Sequence, residues 1–221
     1  MLNDAITYPK DGTDARKTIL IGGVLTILSV LLVPTAFVTG YVVRVIRAVN
    51  AGDRQPPVFD EWGELFVDGL KGIAIMLAYF LVPAIALAGF VAVGGLLGSN
   101  ALVALGALVA LPLWLAAWYA GSVGFLNFAV TGRLGAAFEF GTLRPIMTSG
   151  TFATAWVFGL GILVLGGLVT GMIGLIPIVG LLGALVAFYA TVAAAYCYAR
   201  GFADATPVES APETPDVDPA V

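Results

Sequence analysis

Four carboxylates within nine residues are the side chains best suited to chemistry in this chain: Asp60, Glu61, Glu64 and Asp68. Carboxylate oxygens are the ligands that Mg²⁺ and Ca²⁺ prefer, and a pair of them could also act as general acid and base. Metal ligands must converge on one point, however, whereas carboxylates along one helix face mostly diverge. We therefore predict that these acids cap a helix and form its solvated face, with Asp68 pairing to Lys71. We predict no catalytic residue, no metal and no cofactor.

The residues around these acids have a helical period. Asp60 suits a helix N-cap, and apolar side chains recur on one face from Trp62 onward. We predict an amphipathic helix over 60–71 that lies at the membrane interface before a span begins, with its aromatic rings at headgroup depth. This interfacial motif consists of Phe59, Asp60, Trp62, Gly63, Glu64, Phe66, Asp68 and Lys71.

The composition indicates an integral membrane protein. Of 221 residues, 60% are hydrophobic and 11% charged, against about 25% charged in soluble domains. The mean hydropathy is +1.00. The chain has no histidine and one cysteine, Cys197, which excludes an internal disulfide, Cys/His zinc sites and catalysis by imidazole. The net charge of −4 gives no reason to expect nucleic acid as a partner.

Long charge-free runs predict where the chain crosses the membrane. They lie between Lys17 and Arg44, between Lys71 and Arg133, and between Arg144 and Arg200, and one crossing needs about 20 residues. We predict an all-α fold, a polytopic transmembrane helix bundle with interfacial amphipathic helices. Its five spans are about 18–43, 72–97, 101–130, 151–173 and 176–199. An N-terminal interfacial segment, 1–17, precedes this transmembrane domain of 18–200, and a disordered acidic tail, 201–221, follows it.

The basic residues predict the orientation. Segments 44–71 and 131–150, together with Arg200, carry seven of the ten Lys and Arg residues. The positive-inside rule therefore predicts a multi-pass cell-membrane protein with a cytoplasmic C-terminus. Five spans would leave Lys10, Arg16 and Lys17 outside. The alternative is that the first segment turns back at Pro34 without crossing; we favour the crossing.

A few residues at or within the spans carry further hypotheses. Arg44 and Arg47 share one face at the end of the first span, where they either anchor the helix or contact anionic lipid headgroups. Asn127 is a carboxamide within a span, suited to a hydrogen bond between helices or to a substrate contact.

Glycines and one repeated pattern bear on assembly. The pairs Gly94/Gly98 and Gly167/Gly171 have the spacing that allows close helix packing. The sequence at 140–143 echoes that at 62–65, so spans one and two could repeat as spans three and four, a construction known from transporters.

Several stretches resemble a known family. They are 5–9 (Ala-Ile-Thr-Tyr-Pro), 40–48, and 59–71 with the pattern Phe-Asp-x-Trp-Gly-x-Leu-Phe-x-Asp-Gly-Leu-Lys. Over about residues 1–200 the chain resembles the domain-of-unknown-function family 4013, small multi-spanning membrane proteins frequent in halophilic archaea. The resemblance implies a membrane location; it assigns no activity and no site residues.

We expect a non-enzymatic membrane scaffold or accessory protein. Its partners would be the lipid bilayer and other membrane proteins, or further copies packed through glycine-rich helix faces. The alternative is a passive channel or small-solute transporter, favoured by the repeat, the prolines within spans and Asn127 but disfavoured by the lack of charge in the spans. A lipid-modifying enzyme with a metal on the acids of 60–68 is the least favoured.

Overall fold

The computed structural model describes residues 2–11, 14–28, 32–175 and 180–206, and within these ranges the chain is helical with no strand. Short 3₁₀ turns lie at Tyr8–Lys10 and Leu134–Phe138. The helices are α1 Leu2–Thr7, α2 Ala15–Ile27, α3 Leu32–Asn50, α4 Trp62–Leu96, α5 Asn100–Thr131, α6 Phe140–Met147, α7 Gly150–Gly174 and α8 Gly180–Ala205.

Four of the described helices are long and apolar enough to cross a membrane: α4, α5, α7 and α8 from Leu182 onward. They correspond to the predicted spans 72–97, 101–130, 151–173 and 176–199, although 176–179 lie outside the described residues. The all-α membrane fold class is therefore confirmed, with four candidate spans where five were predicted.

The predicted interfacial helix over 60–71 is not a separate element. Helix α4 runs without a break from Trp62 to Leu96, and its 35 residues extend about 52 Å, well beyond a hydrocarbon core of about 30 Å. Its first turns pack on α3, where Leu65 and Gly69 are buried. The cap position before α4 is taken by Glu61, at φ 46° and ψ 50°, and not by Asp60.

The predicted span 18–43 differs most from the structure. Helix α2 ends at Ile27 and α3 begins at Leu32, so that Pro34 lies in the first turn of α3, where a missing N–H costs no helical hydrogen bond. Residues Asp14 and Thr18 line one cavity with the segment 55–58 that follows α3. The two ends of the α2–α3 pair therefore lie together, and the pair turns back on itself.

One face of α2, which carries small residues, packs against α8. Gly22 and Gly23 are buried, and a Cβ on either would collide with the side chains of Phe188 and Leu185, respectively. The packing covers this face only, because Leu20, Val24, Ile27 and Leu28 on the rest of this segment are exposed.

The long helices form two antiparallel hairpins joined by α3. Helix α4 packs on α5 and α7 packs on α8, while α3 contacts both α4 and α8. The largest fully buried side chains include Tyr41, Phe128, Phe152 and Phe188. They lie on α3, α5, α7 and α8, so one core joins both hairpins.

The predicted terminal segments also have a place in this fold. Tyr8 of the N-terminal segment is buried and lies 4.8 Å from Tyr196 of α8, ring centroid to ring centroid. The first residues of the tail predicted to be disordered from residue 201 are helical instead, because α8 continues to Ala205 and buries Phe202. Residues 207–221 lie outside the described part of the chain.

Helices α3 and α4 approach each other closely at Gly40 and Gly69. A Cβ on Gly69 would lie 2.9 Å from the backbone nitrogen of Gly40 and would overlap the carbonyl oxygen of Ala36. A Cβ on Gly40 would overlap the carbonyl of Leu65. The two helices are therefore in backbone contact, and no larger residue fits at either glycine.

The glycine pairs singled out by their spacing behave differently. Gly94 packs on Val103 of α5, whereas Gly98 ends a turn with a φ of +63°. A Cβ on Gly167 or Gly171 would meet nothing within 4 Å. The prediction of close packing is therefore wrong for Gly167 and Gly171 within the described chain, and both face outward from α7.

We predict that Gly40→Ala and Gly69→Ala each lower the free energy of unfolding by about 3 kcal/mol or more, because the new methyl group meets a backbone that cannot move aside. SDS titration of the purified protein in mild detergent, followed by circular dichroism, measures this. Gly63→Ala is the matched control: it lies in α4 with nothing within 4 Å, so it should be neutral or slightly stabilising. Equal stability of all three variants would contradict the backbone contact.

Candidate functional site

An ion-pair network joins the end of α3 to α4 and α5. Arg47 donates from Nη1 to the Asp68 carboxylate at 2.6 Å and from Nε to the carbonyl oxygen of Ala129 at 2.8 Å. The ammonium of Lys71 lies 3.7 Å from the same carboxylate. The Asp68 side chain is 16% exposed, so a partly buried negative charge is compensated by these two cations.

Arg44, one turn earlier, binds the segment that precedes α4. Its guanidinium pairs with the carboxylate of Asp60 and lies 3.1 Å from that of Glu61, and it also donates to the Asp60 carbonyl oxygen at 3.2 Å. Both acids are more than half exposed. Exposed pairs contribute about 0–1 kcal/mol each, so this half of the network positions the loop more than it stabilises the fold.

Three of the four predicted acids pair with basic side chains. Asp68 pairs with Lys71 as predicted, and more closely with Arg47; Asp60 and Glu61 pair with Arg44, while Glu64 lies exposed in the first turn of α4. Among the described residues, no group of three or more His, Cys, Asp or Glu side chains could hold a metal ion. The arrangement favours a structural use of these carboxylates.

The predicted contact of Arg44 and Arg47 with lipid headgroups stays a prediction. The structure gives both guanidinium groups carboxylate partners within the protein. The Arg44 side chain is 18% exposed and that of Arg47 38%. A headgroup would therefore meet guanidinium groups whose charge is already balanced.

The aromatic residues of the interfacial motif pack against protein more than was predicted. Phe59 stacks on Tyr41 with ring centroids 4.3 Å apart and lies 6.0 Å from Phe188 of α8. Trp62, 43% exposed, packs edge-on against Phe37, which Phe66 also contacts. Phe59 therefore belongs to the core, and Trp62 is the ring that reaches the surface. Gly63, the remaining member of the motif, is exposed.

Tyrosine hydroxyls bind the irregular segments to the helices, which sequence reasoning missed. Tyr41 donates to the carbonyl oxygen of Pro57 at 2.9 Å, and Tyr79 to that of Ala137 at 2.6 Å. Asn127 serves the same purpose, because its amide donates to the carbonyl of Ala136 at 2.8 Å. The hydrogen bond predicted for Asn127 therefore goes to the 3₁₀ turn after α5. Tyrosines near the ends of apolar runs were the available signal.

The repeated pattern has a structural counterpart. Arg133, just after α5, lies 3.0 Å from the carboxylate of Glu139, which directly precedes Phe140 at the start of α6. Arg44 pairs in the same way with the acids that directly precede Trp62. In both places, an arginine at or after the end of one helix pairs with an acid that directly precedes the aromatic-glycine start of the next helix.

A polar cavity of about 500 Å³ lies between the N-terminal segment, the turn after α3 and the end of α8. Its charged lining is mixed in sign, with Asp53 and Arg54 from the turn and Arg200 from α8. Burial, with a further contribution from Asp53, raises the pKa of Tyr8 above its ordinary value, so this phenol stays protonated and donates to the carbonyl of Gln55 at 3.4 Å. This mixture of charges selects for neither cations nor anions.

A second cavity, of about 290 Å³, lies where α3, α4, α5, α7 and α8 meet. Its lining is mostly apolar, with Trp118 and Phe125 of α5 and Leu163 of α7 among the larger side chains. Four of its lining residues carry a hydroxyl: Thr39, Ser122, Thr191 and Tyr198. Sequence reasoning missed this site, because its members come from five helices with no common spacing.

We predict that Asp68→Asn lowers the free energy of unfolding by about 1–3 kcal/mol, because it leaves Arg47 without a balanced charge in a partly buried position. Glu64→Gln is the matched control on the exposed side of the same helix and should change stability by less than about 0.5 kcal/mol. SDS titration in detergent compares the two. An Asp68→Asn variant as stable as the control would contradict the structural role of the network.

Comparison with known proteins places the chain in a family. The model of the family described as protein of unknown function (DUF4013) matches residues 27–175, which include the ion-pair network and the start of α4 but not α1 or α8. Neither the curated proteins nor the solved structures contain a match. The match confirms the resemblance carried by the stretch 59–71. The chain belongs to the DUF4013 family of proteins of unknown function.

Proposed function

We propose that this protein is a non-enzymatic membrane accessory protein that works by packing on other membrane proteins or on copies of itself. One observation carries the proposal: the candidate spans are little covered by their own chain. In their most apolar stretches, 11% of the residues of α4, 17% of α5 and 11% of α7 are buried, against 50% of α8. Most side chains of these three helices are therefore free to contact lipid or another protein within the membrane.

The polar end of the molecule supports a role without catalysis. Asp60, Glu61 and Asp68 pair with Arg44, Arg47 and Lys71, whereas nucleophiles and general bases need groups that are free to react. A polar end whose acids and bases pair with one another suits a protein that offers a binding surface to a partner.

Helix α7 offers the best surface for a partner helix. Gly167 and Gly171 are one turn apart and open to the outside, and a shallow apolar groove runs along them between Leu163 and Leu175. Small residues four apart let two helix backbones approach closely in a membrane.

Native mass spectrometry of the tagged protein, purified from its native membrane in mild detergent, tests the proposal. We expect a stoichiometric complex with a second polypeptide or a second copy, and we expect the double variant Gly167→Leu/Gly171→Leu to lose it, because two bulky side chains would separate the helix backbones. Gly161→Leu is the control, also on α7 and also open, but about 100° around the helix. A monomer that carries only lipid would overturn the proposal.

We further propose that the N- and C-terminal segments lie together in the cytoplasm. The α2–α3 pair turns back and two hairpins follow, so a four-span arrangement puts all ten Lys and Arg residues on one side of the membrane. The positive-inside rule assigns that side to the cytoplasm. Five spans would leave Lys10, Arg16 and Lys17 outside, against this rule, whereas four spans place them inside.

Cysteine labelling tests this orientation in a Cys197→Ala background. With a membrane-impermeant maleimide, we expect Leu97→Cys, between α4 and α5, to react in intact cells because it lies outside. Asn3→Cys and Arg54→Cys should react only after permeabilisation. Reaction of Asn3→Cys but not Arg54→Cys in intact cells would restore the five-span arrangement.

A passive channel or small-solute transporter is the second candidate, favoured by the cavity at which five helices meet. The test is flux of a neutral solute such as glycerol into liposomes that contain the protein. Flux that Ala194→Leu abolishes, by placing a bulky side chain in the cavity wall, would favour the channel over the accessory role. Absence of flux would remove this candidate.

A further inference from the structure

Helix α2 has two distinct sides. The side toward the rest of the protein is buried and carries Ala15, Thr18, Gly22 and Gly23. At about 100° per residue, the exposed positions fall on the opposite side of the helix. They are Arg16, Lys17, Leu20, Val24, Ile27 and Leu28. Two basic residues in the first turn are therefore followed by an exposed stripe that is entirely apolar.

The two basic residues have no partner in the described part of the chain. Five other Lys and Arg residues form ion pairs within the protein. Among the described residues, no ion pair or side-chain hydrogen bond includes Arg16 or Lys17. The acids nearest to them in sequence, Asp11 and Asp14, line cavities between segments of the protein. Arg16 and Lys17 are therefore available to an anionic group outside the protein.

The length of the apolar stripe matches one leaflet of a bilayer. From Leu20 to Leu28 the stripe rises about 12 Å along the helix axis, and half of the hydrocarbon core is about 15 Å thick. The basic turn lies immediately before the stripe, and long basic side chains reach from apolar surroundings to the headgroups. This face therefore has the order of groups of a phospholipid, charged at one end and apolar over the rest.

The shape of this face favours lipid over a partner helix. Its apolar members are the branched side chains of leucine, valine and isoleucine. The small residues that let two helix backbones approach, Gly22 and Gly23, lie on the buried side. Anionic lipids are concentrated in the cytoplasmic leaflet, which is the side that the four-span arrangement assigns to Arg16 and Lys17.

We propose that α2 binds an anionic phospholipid of the cytoplasmic leaflet. Arg16 and Lys17 bind its phosphate, and Leu20, Val24 and Ile27 contact its chains. The proposal rests on the four-span orientation proposed above but not on the accessory role, because a monomer offers the same face. It assigns the headgroup contact to basic residues whose charge is not balanced within the protein, unlike the pair at the end of α3.

Lipid titration of the full-length, delipidated protein, followed by native mass spectrometry, tests the headgroup contact. We expect the wild type to bind dioleoylphosphatidylglycerol more tightly than dioleoylphosphatidylcholine, which has the same chains and no net charge. The double variant Arg16→Gln/Lys17→Gln should bind the anionic lipid about fivefold more weakly for each charge removed. Its melting temperature in lipid-free detergent should equal that of the wild type, because neither side chain has a partner.

The matched control removes the same charge from the same end of the protein. Arg54 and Arg144 are also exposed, and neither lies on α2. Arg54→Gln/Arg144→Gln should therefore keep most of the preference for the anionic lipid. Three results would overturn the proposal: no such preference in the wild type, equal affinity of the wild type and the α2 variant, or an equal loss in the control.

A spin label at Val24→Cys, in a Cys197→Ala background, tests what covers the apolar stripe. In vesicles of phosphatidylcholine and phosphatidylglycerol, we expect the label to collide more with oxygen, which concentrates in lipid, than with a water-soluble nickel complex. More frequent collision with nickel would place the stripe in water. Protection from both reagents would mean that protein covers it, and either result would overturn the proposal.

The orientation on which the proposal rests is read separately. Labelling of Asn3→Cys in intact cells would place Arg16 and Lys17 at the outer leaflet and overturn the orientation. The lipid titration measures the site itself, and a bound polypeptide appears as a separate mass in the same spectra. Failures of the orientation, of the accessory role and of the lipid site are therefore distinguishable.

Discussion

Helix α3 can lie against α4 only because Gly40 and Gly69 have no side chains at the point where the two backbones meet. The polar end of the protein depends on this approach. It brings Arg47, two turns further along α3, within reach of Asp68 on α4, and it sets Tyr41 beside Pro57 and Phe59 of the connecting loop. A methyl group at the crossing would separate the helices and with them each of these contacts.

Packing on α8 and α3 places the first apolar segment. With α3 held against α4 and α8, α2 lies along α8 and the two helices turn back. The connections at the polar end leave carbonyl groups without a helical partner, and such a group needs a hydrogen-bond donor where protein covers it. Tyr79 and Tyr119 on the long helices provide those bonds, as does Asn127. Long helices and irregular segments are thus stabilised together.

Hydropathy was enough to predict α4, α5, α7 and most of α8, because each is an uninterrupted apolar run between charged residues. For 18–43 hydropathy predicted one continuous span, whereas the structure has two helices, α2 and α3. Hydropathy reports that a segment avoids water and not how its helices end or pack, and the fit of Gly22 and Gly23 against α8 exists only in three dimensions.

The candidate sites were predictable to different degrees. Charge and spacing indicated that Asp68 pairs with Lys71, but its closer partner, Arg47, lies 21 residues away on another helix. Nothing local distinguishes Gly40 and Gly69 among 28 glycines. The cavity beside Tyr198 draws on five helices, so it could be recognised only once they were assembled.

The four-span arrangement proposed above requires that α2 and α3 fold back against α4 and α8 instead of crossing the membrane. Spin labels at Asp14 and Gln55, in a Cys197→Ala background and in liposomes, test it by the electron–electron distance between them. Both residues line one cavity, so we expect a distance well below the hydrocarbon thickness of about 30 Å. A distance at or above that thickness would put the two labels on opposite sides of the membrane and contradict the account.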